Sequence, residues 1–364
     1  MDRKLLSYRG CLLGFAVGDA MGYAVNDKSW EEIAENYGPN GLLGYDLCND
    51  GAQITSYTQI AAYMANALLA SLSRGKRDTY LQYSAAALRE WAKRQHFPRD
   101  PEPSVFWVAR MPQLRRRCCK DSRLLGILRT KTLGTVDAPT NASDAPGALS
   151  YGMAVGLYYA PERIGAEQIG ALAAELTAMT HGGEQAFLSA AVLAYGVAGI
   201  LQQPEIPLRQ QFTQALSVVR ALFGNRFDVD CVEEPINLAF ALAQTPGEDP
   251  RADMERLSCT DAPHCLAGAI YASLVFGNNF DEALICAVNH SGASCAVGAL
   301  TGALLGAYMG ADALPEFYLE SLDCTAALSE LAQDLARGSM TSSLFDTDWD
   351  QKYIQGQPLQ DTEE

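Results

Sequence analysis

The sequence predicts an all-α fold built as one domain, on three observations. Apolar residues recur at i, i+3, i+4 and i+7 through most of the chain, the repeat of a helix that buries one face. Alanine, leucine and glycine dominate, while runs of the β-branched residues that favour strands are scarce. Short clusters of Gly, Pro and Asn punctuate the periodic segments, and neither a long linker nor a fixed-period repeat divides them.

In chain order the pattern predicts helices over roughly 4–22, 53–72, 78–95, 164–178, 183–202, 206–223, 231–244, 261–275, 279–289 and 292–310. Turns fall at Gly38-Pro39-Asn40-Gly41, Pro98 to Pro103, Pro139 to Pro146, Gly224-Asn225 and Gly277-Asn278-Asn279. Two helices stand out. The first carries Gly10, Gly14, Gly18 and Gly22, and the last carries Gly298, Gly302, Gly306 and Gly310. Residues four apart share a helix face. Each interior glycine costs about 1 kcal/mol against alanine, so a bare face implies that another backbone comes very close. The helical domain is expected to run from 1 to 345, with 346–364 an acidic, loose tail.

The chain has 364 residues, of which 48% are hydrophobic, enough to bury a sizeable core. No apolar run reaches the roughly 20 residues of a membrane span. The opening residues are not followed by a signal-peptide cleavage pattern, so a cytoplasmic location is expected. The ten cysteines form no CxxC pair and no metal-ligand rhythm, which fits free thiols in a reducing compartment. A net charge of −16 argues against a nucleic-acid binder, because phosphate contacts need clustered Lys and Arg. The exception is Arg110, Arg115, Arg116, Arg117, Lys120 and Arg123, which reads as a solvated basic helix face or as a docking patch for an acidic partner.

Five blocks carry a resemblance. Residues 10–22, Gly-Cys-Leu-Leu-Gly-Phe-Ala-Val-Gly-Asp-Ala-Met-Gly, are followed by Thr55-Ser56-Tyr57-Thr58-Gln59-Ile60. Next come Gly147-Ala148-Leu149 with Gly156-Leu157-Tyr158-Tyr159, then Thr180-His181 with Ala186, and finally Asn289 to Tyr308. In this order the blocks are similar to the signature segments of the ADP-ribosylglycohydrolase family, over about residues 8–320. That resemblance implies an orthogonal, all-α domain. It also implies a pair of Mg²⁺ or Mn²⁺ ions that position ADP-ribose and its scissile glycosidic bond between a Thr-Asp-Asp-Thr and an Asp-x-Asp-Thr segment. Water then releases ADP-ribose from a protein side chain.

The aspartates of those two segments do not recur here. Ser56 and Tyr57 stand at the first pair, Ala293 and Cys295 at the second, and Ala296 replaces a threonine. Asn26 stands where another carboxylate is expected, with Asp27 beside it, and Tyr151 replaces an arginine. Hard divalent cations need oxygen ligands, mostly carboxylates, and neutral hydroxyls, methyls and thiols do not replace them. No metal cofactor is therefore expected.

The residues expected to act are Asp19 and Asp27 as remaining acids. A ligand site is expected from Gly18, Thr55, Ser56, Tyr57, Gly147, Ala148, Leu149, His181, Ser291, Gly292, Ser294 and Cys295. The Ser291-Gly292 turn and the Gly147-Ala148-Leu149 loop are candidate anion holders through free N–H groups at helix starts. Cys295 near a helix start, with His290 five residues earlier, raises a thiol nucleophile as a further idea. The expected role is a pseudo-enzyme of this family that binds ADP-ribose, a related nucleotide or an ADP-ribosylated protein. Two alternatives stay open: an active hydrolase with a rearranged site using Asp19, Asp27, Asp46 or Asp50, and a structural protein that keeps only the helical shell.

Overall fold

A computed structural model describes residues 2–47, 51–74, 79–99, 104–159, 163–247, 249–338 and 347–355. Among them the protein is all-α, as predicted. The helices are α1 (Arg3–Gly22), α2 (Trp30–Tyr37), α3 (Ser56–Ser73), α4 (Tyr80–His96), α5 (Ser122–Ile127) and α6 (Leu149–Tyr158). There follow α7 (Gln168–Ala178), α8 (Glu184–Gln202), α9 (Leu208–Phe223), α10 (Asp230–Gln244), α11 (Pro250–Arg256) and α12 (Ala262–Val275). The last are α13 (Phe280–Val288), α14 (Ser294–Met309), α15 (Glu316–Glu320), α16 (Thr325–Arg337) and α17 (Thr347–Tyr353).

The centre of the fold is the crossing of α1 and α14. A Cβ added to Gly10, Gly14 or Gly18 would lie 2.0, 2.0 and 1.9 Å from the carbonyl oxygens of Gly306, Gly302 and Gly298. One at Gly22 would meet the Ser294 backbone at 2.5 Å. The two glycine stripes therefore run antiparallel, backbone on backbone, and no side chain fits between them. The conformational cost of these glycines is offset by burial of both helices along the seam. Gly310 takes no part: it ends α14 with φ +91°, a left-handed conformation that suits glycine.

Around this pair the other helices bury one another in a continuous core. Among the described residues α8 is long and apolar enough to cross a bilayer by length and composition, which corrects the expectation that no such run exists. Here it is a core helix packed against α6, α7 and α9. The basic stretch is not a single helix face. It passes through short 3₁₀ turns at Trp107–Arg110 and Pro112–Arg115, an irregular segment, and then α5.

The opening of the segment expected to be a loose tail is helix α17. Trp349 and Tyr353 are buried with ring centroids 4.5 Å apart. Tyr353 Oη donates to Asp334 Oδ2 at 2.8 Å and accepts from Trp107 Nε1 at 3.0 Å. Lys352 Nζ reaches Asp334 at 3.0 Å, Glu330 at 2.6 Å and Asp348 at 2.9 Å. An aromatic pair and a shared carboxylate hold α17 to the body, whatever its acidic composition suggests. Residues 356–364 lie outside the described residues.

Candidate functional site

Where the glycine seam ends, α1, α3 and α14 converge with the turn after α1. Asp19, on the last turns of α1, is completely buried. Its carboxylate accepts from Thr55 N at 2.8 Å, Thr55 Oγ1 at 2.6 Å, Thr58 N at 3.2 Å and Thr58 Oγ1 at 2.6 Å. It thus caps the N-terminus of α3 from another helix, where a negative charge is favoured. Burial raises its pKa, and the Thr55 and Thr58 hydrogen bonds oppose that rise. Thr55, the helix's own N-cap residue, also accepts from Tyr57 N at 3.3 Å. Neither oxygen of Asp19 is left facing open space, so the group acts as a structural clamp.

The N-terminus of α14 is also internally satisfied. Asn26 Oδ1 accepts from Cys295 N at 3.0 Å, and Asn26 Nδ2 donates to Asp27 Oδ2 at 2.6 Å. Ala293 N donates to Cys259 O at 2.8 Å, and Ser294 Oγ donates to Val288 O at 2.8 Å. Ser291 N and Oγ both donate to Glu255 Oε1 at 2.9 Å, while Ser291 Oγ accepts from Trp30 N at 2.9 Å. A Cβ at Gly292 would lie 2.5 Å from Cys259 O. The Ser291-Gly292 turn was expected to offer free donors to an anion. The Ser291 N–H and hydroxyl are instead spent on Glu255. Gly18 faces Gly298 in the seam and no ligand space.

Tyr57 and Cys295 fill the middle. Burial drives both ionisations well above their ordinary range, and the Asp19 and Asp27 charges add to this. Cys295 is therefore a neutral thiol despite its place near a helix start. His290 donates from Nε2 to Ala287 O at 3.0 Å, and its buried Nδ1 has no partner among the described residues. No hydrogen bond joins it to Cys295 among the described residues, which removes the motivation for a thiol nucleophile. Asp27 is exposed and stands at φ +60°, with its N–H donating to Gly292 O at 3.3 Å. Among the described residues no three His, Cys, Asp or Glu side chains gather as a metal-binding group. One consumed carboxylate, one exposed one, two hydroxyls, a thiol and a methyl do not fit a pair of hard divalent cations.

Beside this centre lies a cleft of about 720 Å³, lined in part by Lys120, Arg123, Asn141, Ser143, Thr180 and His181. Its size lies within the roughly 300–1,000 Å³ of small-molecule sites. His181 is 2% exposed and its ring is held by a relay: Tyr151 Oη to Thr180 Oγ1 at 2.7 Å, and Thr180 Oγ1 to Nδ1 at 2.9 Å. Burial lowers its pKa to about 4, so the ring is neutral. Nε2 has no hydrogen-bond partner among the described residues and lies against Gly147, where an added Cβ would come within 3.1 Å of it. Asn141 fastens the loop before the 3₁₀ turn Pro146–Ala148 to the start of α8. It donates from Nδ2 to Thr180 O at 3.1 Å and accepts from Gly182 N at 3.1 Å and Ser143 N at 2.9 Å.

The sequence model of the ADP-ribosylglycohydrolase family matches residues 2–344. The chain belongs to the ADP-ribosylglycohydrolase family. A solved structure described as an ADP-ribosylglycohydrolase-related protein complex is similar to it, with a TM-score of 0.53 and 22% identity over 93% of this chain and 100% of that one. At that identity the likeness speaks for the fold. No curated protein matches the chain.

Within this ADP-ribosylglycohydrolase-family chain the predicted residues separate into two groups. Asp19, Thr55, Tyr57, Asp27 and Cys295 meet around the ends of α1, α3 and α14, and Ser56 stands in the first turn of α3 beside them. Gly147 packs against His181, which lines the cleft. Ala148 and Leu149 are buried; Ala148 N donates to Ala145 O, and Leu149 N to Gly147 O and Pro146 O, so neither of these two N–H groups is free there. Asp46 accepts from Tyr37 Oη at 2.6 Å, away from both groups. Asp50 lies outside the described residues. Sequence reasoning missed Asn141, a lone Asn in a Pro- and Ser-rich turn. It also missed Gln59, Trp91 and Gln95. Trp91 Nε1 donates to Gln59 Oε1 at 2.9 Å, and Gln95 Nε2 to the same oxygen at 3.0 Å. The only sequence signal was Gln59 itself, inside a matched block.

Proposed function

We propose that the protein is a pseudo-enzyme of the ADP-ribosylglycohydrolase family that has lost the dinuclear metal centre and retains a cleft for ADP-ribose or a related nucleotide. One observation carries the reading: Asp19, a completely buried acid, has both oxygens committed to Thr55 and Thr58 at the start of α3, while Tyr57 and Cys295 stand at the expected ligand positions as neutral groups. Without several carboxylates, two divalent ions would bring four positive charges into a site with nothing to balance them.

The cleft offers what a phosphate-bearing ligand needs. With Tyr151 as the donor at the head of the relay, the ring proton of His181 sits on Nε2, a neutral donor on a ring that lines the cleft. Calorimetric titration of ADP-ribose in EDTA and again in Mg²⁺ tests this reading. Equal affinity in both is expected; no heat at millimolar ligand removes the binding role, and binding only with Mg²⁺ removes the metal-free one.

A second reading, an active hydrolase with a rearranged site, is favoured by one observation: Asp27 is an exposed carboxylate beside the centre. It predicts release of ADP-ribose from modified arginine or serine peptides, abolished in Asp27→Asn.

A further inference from the structure

Two residues on the rim of the cleft are cations. Lys120 and Arg123 are exposed and line it. Neither side chain has an ion-pair partner among the described residues, unlike Arg116, which pairs with Asp323. Asp121 lies between them in sequence. Its carboxylate caps α5, accepting from Arg123 N at 2.8 Å and Leu124 N at 3.0 Å.

The position of Lys120 is specific. Its Nζ lies 5.2 Å from the centre of the Tyr23 ring. Tyr23 directly follows Gly22, whose backbone packs on Ser294 and Cys295. The Lys120 charge reaches Cys295, where it favours the thiolate that burial, Asp19 and Asp27 disfavour. The segment leading to Lys120 is anchored from the core. Gln59 Nε2 donates to Arg116 O at 2.9 Å, and Gln95 Oε1 accepts from Cys118 N at 2.9 Å and Cys119 N at 3.1 Å. Both glutamines are buried, so the lysine stem starts from a fixed point.

We propose that Lys120 supplies, as a fixed side-chain cation between socket and cleft, the positive charge that metal ions supply in relatives, and that with Arg123 and His181 Nε2 it binds the phosphates of an anionic nucleotide without metal. The proposal rests on the cleft being the ligand site. A lysine ammonium brings three donors and one charge rather than four, so it attracts phosphate without requiring a ring of carboxylates. Lys120, Arg123 and His181 line one cavity, and an ammonium, a guanidinium and a neutral imidazole are the donor set a diphosphate would use.

The test is calorimetry on the full chain in EDTA with two probes, inorganic pyrophosphate and ADP-ribose. The variants are Lys120→Glu, Lys120→Arg and Lys4→Glu, the last placing the same charge change at the far end of α1. The wild-type protein is expected to bind both probes, more weakly as NaCl is raised. Lys120→Glu should weaken both by about tenfold or more, from loss of a charge-assisted contact. Lys120→Arg should keep most of the affinity, and Lys4→Glu should leave it unchanged. Equal binding by the wild-type protein and Lys120→Glu overturns the proposal, as does binding that requires Mg²⁺. Pyrophosphate binding lost in Lys120→Glu, with no ADP-ribose binding by the wild-type protein, upholds the role of Lys120 and sinks the ADP-ribose reading. No binding of either probe by the wild-type protein overturns both.

Discussion

Helices α1 and α14 carry two regions under opposite constraints. Along their length Gly10, Gly14 and Gly18 face Gly306, Gly302 and Gly298 with no room for a methyl group. At their shared end stand the neutral residues Ser56, Tyr57, Ala293 and Cys295. The difference shows what each kind of interaction demands. Backbone packed on backbone admits one residue type, because any Cβ meets a carbonyl. An electrostatic socket has many replacements once no ion requires its acids, and an uncompensated buried carboxylate is itself costly. Asp19 stands in the socket as the cap of α3, with four hydrogen bonds to compensate it.

The largest test of that contrast is in the seam. Gly14→Leu or Gly302→Leu should destabilise the fold by more than about 4 kcal/mol or prevent folding, read as loss of the cooperative thermal transition. A stable, well-folded variant would show that the helices can separate.

Asp19→Ala comes next. It strands the Thr55 and Thr58 donors in the core, and urea denaturation should report a loss of about 3–5 kcal/mol. An unchanged stability with altered ligand affinity would move Asp19 from clamp to site.

Acid comes third. His181 and His290 are held neutral by burial, each with its pKa lowered to about 4. The unfolded chain takes up those protons near pH 6.5, so stability should fall as pH drops from about 6.5 to about 4, by up to roughly 3 kcal/mol per ring, and level off below. His181→Gln should reduce that slope. A flat profile would mean that the rings are charged or exposed.

The smallest effect is expected at Cys295→Ser, under about 1.5 kcal/mol in stability and none in ADP-ribose affinity. Loss of an activity present in the parent would restore the nucleophile idea.

Much of this architecture was legible because helical periodicity is a local property. The expected segments 183–202, 206–223 and 261–275 differ from α8, α9 and α12 by one or two residues at their ends. Helix α6 was missed because all ten of its residues are buried, which erases the amphipathic repeat. Helix α16 was missed although Leu328, Leu331, Ala332 and Leu335 have helical spacing; that signal was present and unread. At the site, sequence marked which ligands were replaced but not what the replacements bond to. That Asn26 caps α14 at Cys295 and that Ser291 turns to Glu255 depend on contacts between residues 269 and 36 positions apart. The α17 clamp on Asp334 is equally invisible in an acidic terminal segment.

The socket around Asp19, Tyr57 and Cys295 lacks the ring of carboxylates that a pair of hard cations requires. Titration of Mn²⁺ into the protein, with the free ion followed by electron paramagnetic resonance, tests it most directly. At micromolar protein and metal the signal is expected to stay that of free Mn²⁺. Loss of two equivalents of signal per chain, restored by EDTA and abolished in Asp19→Asn, would contradict it.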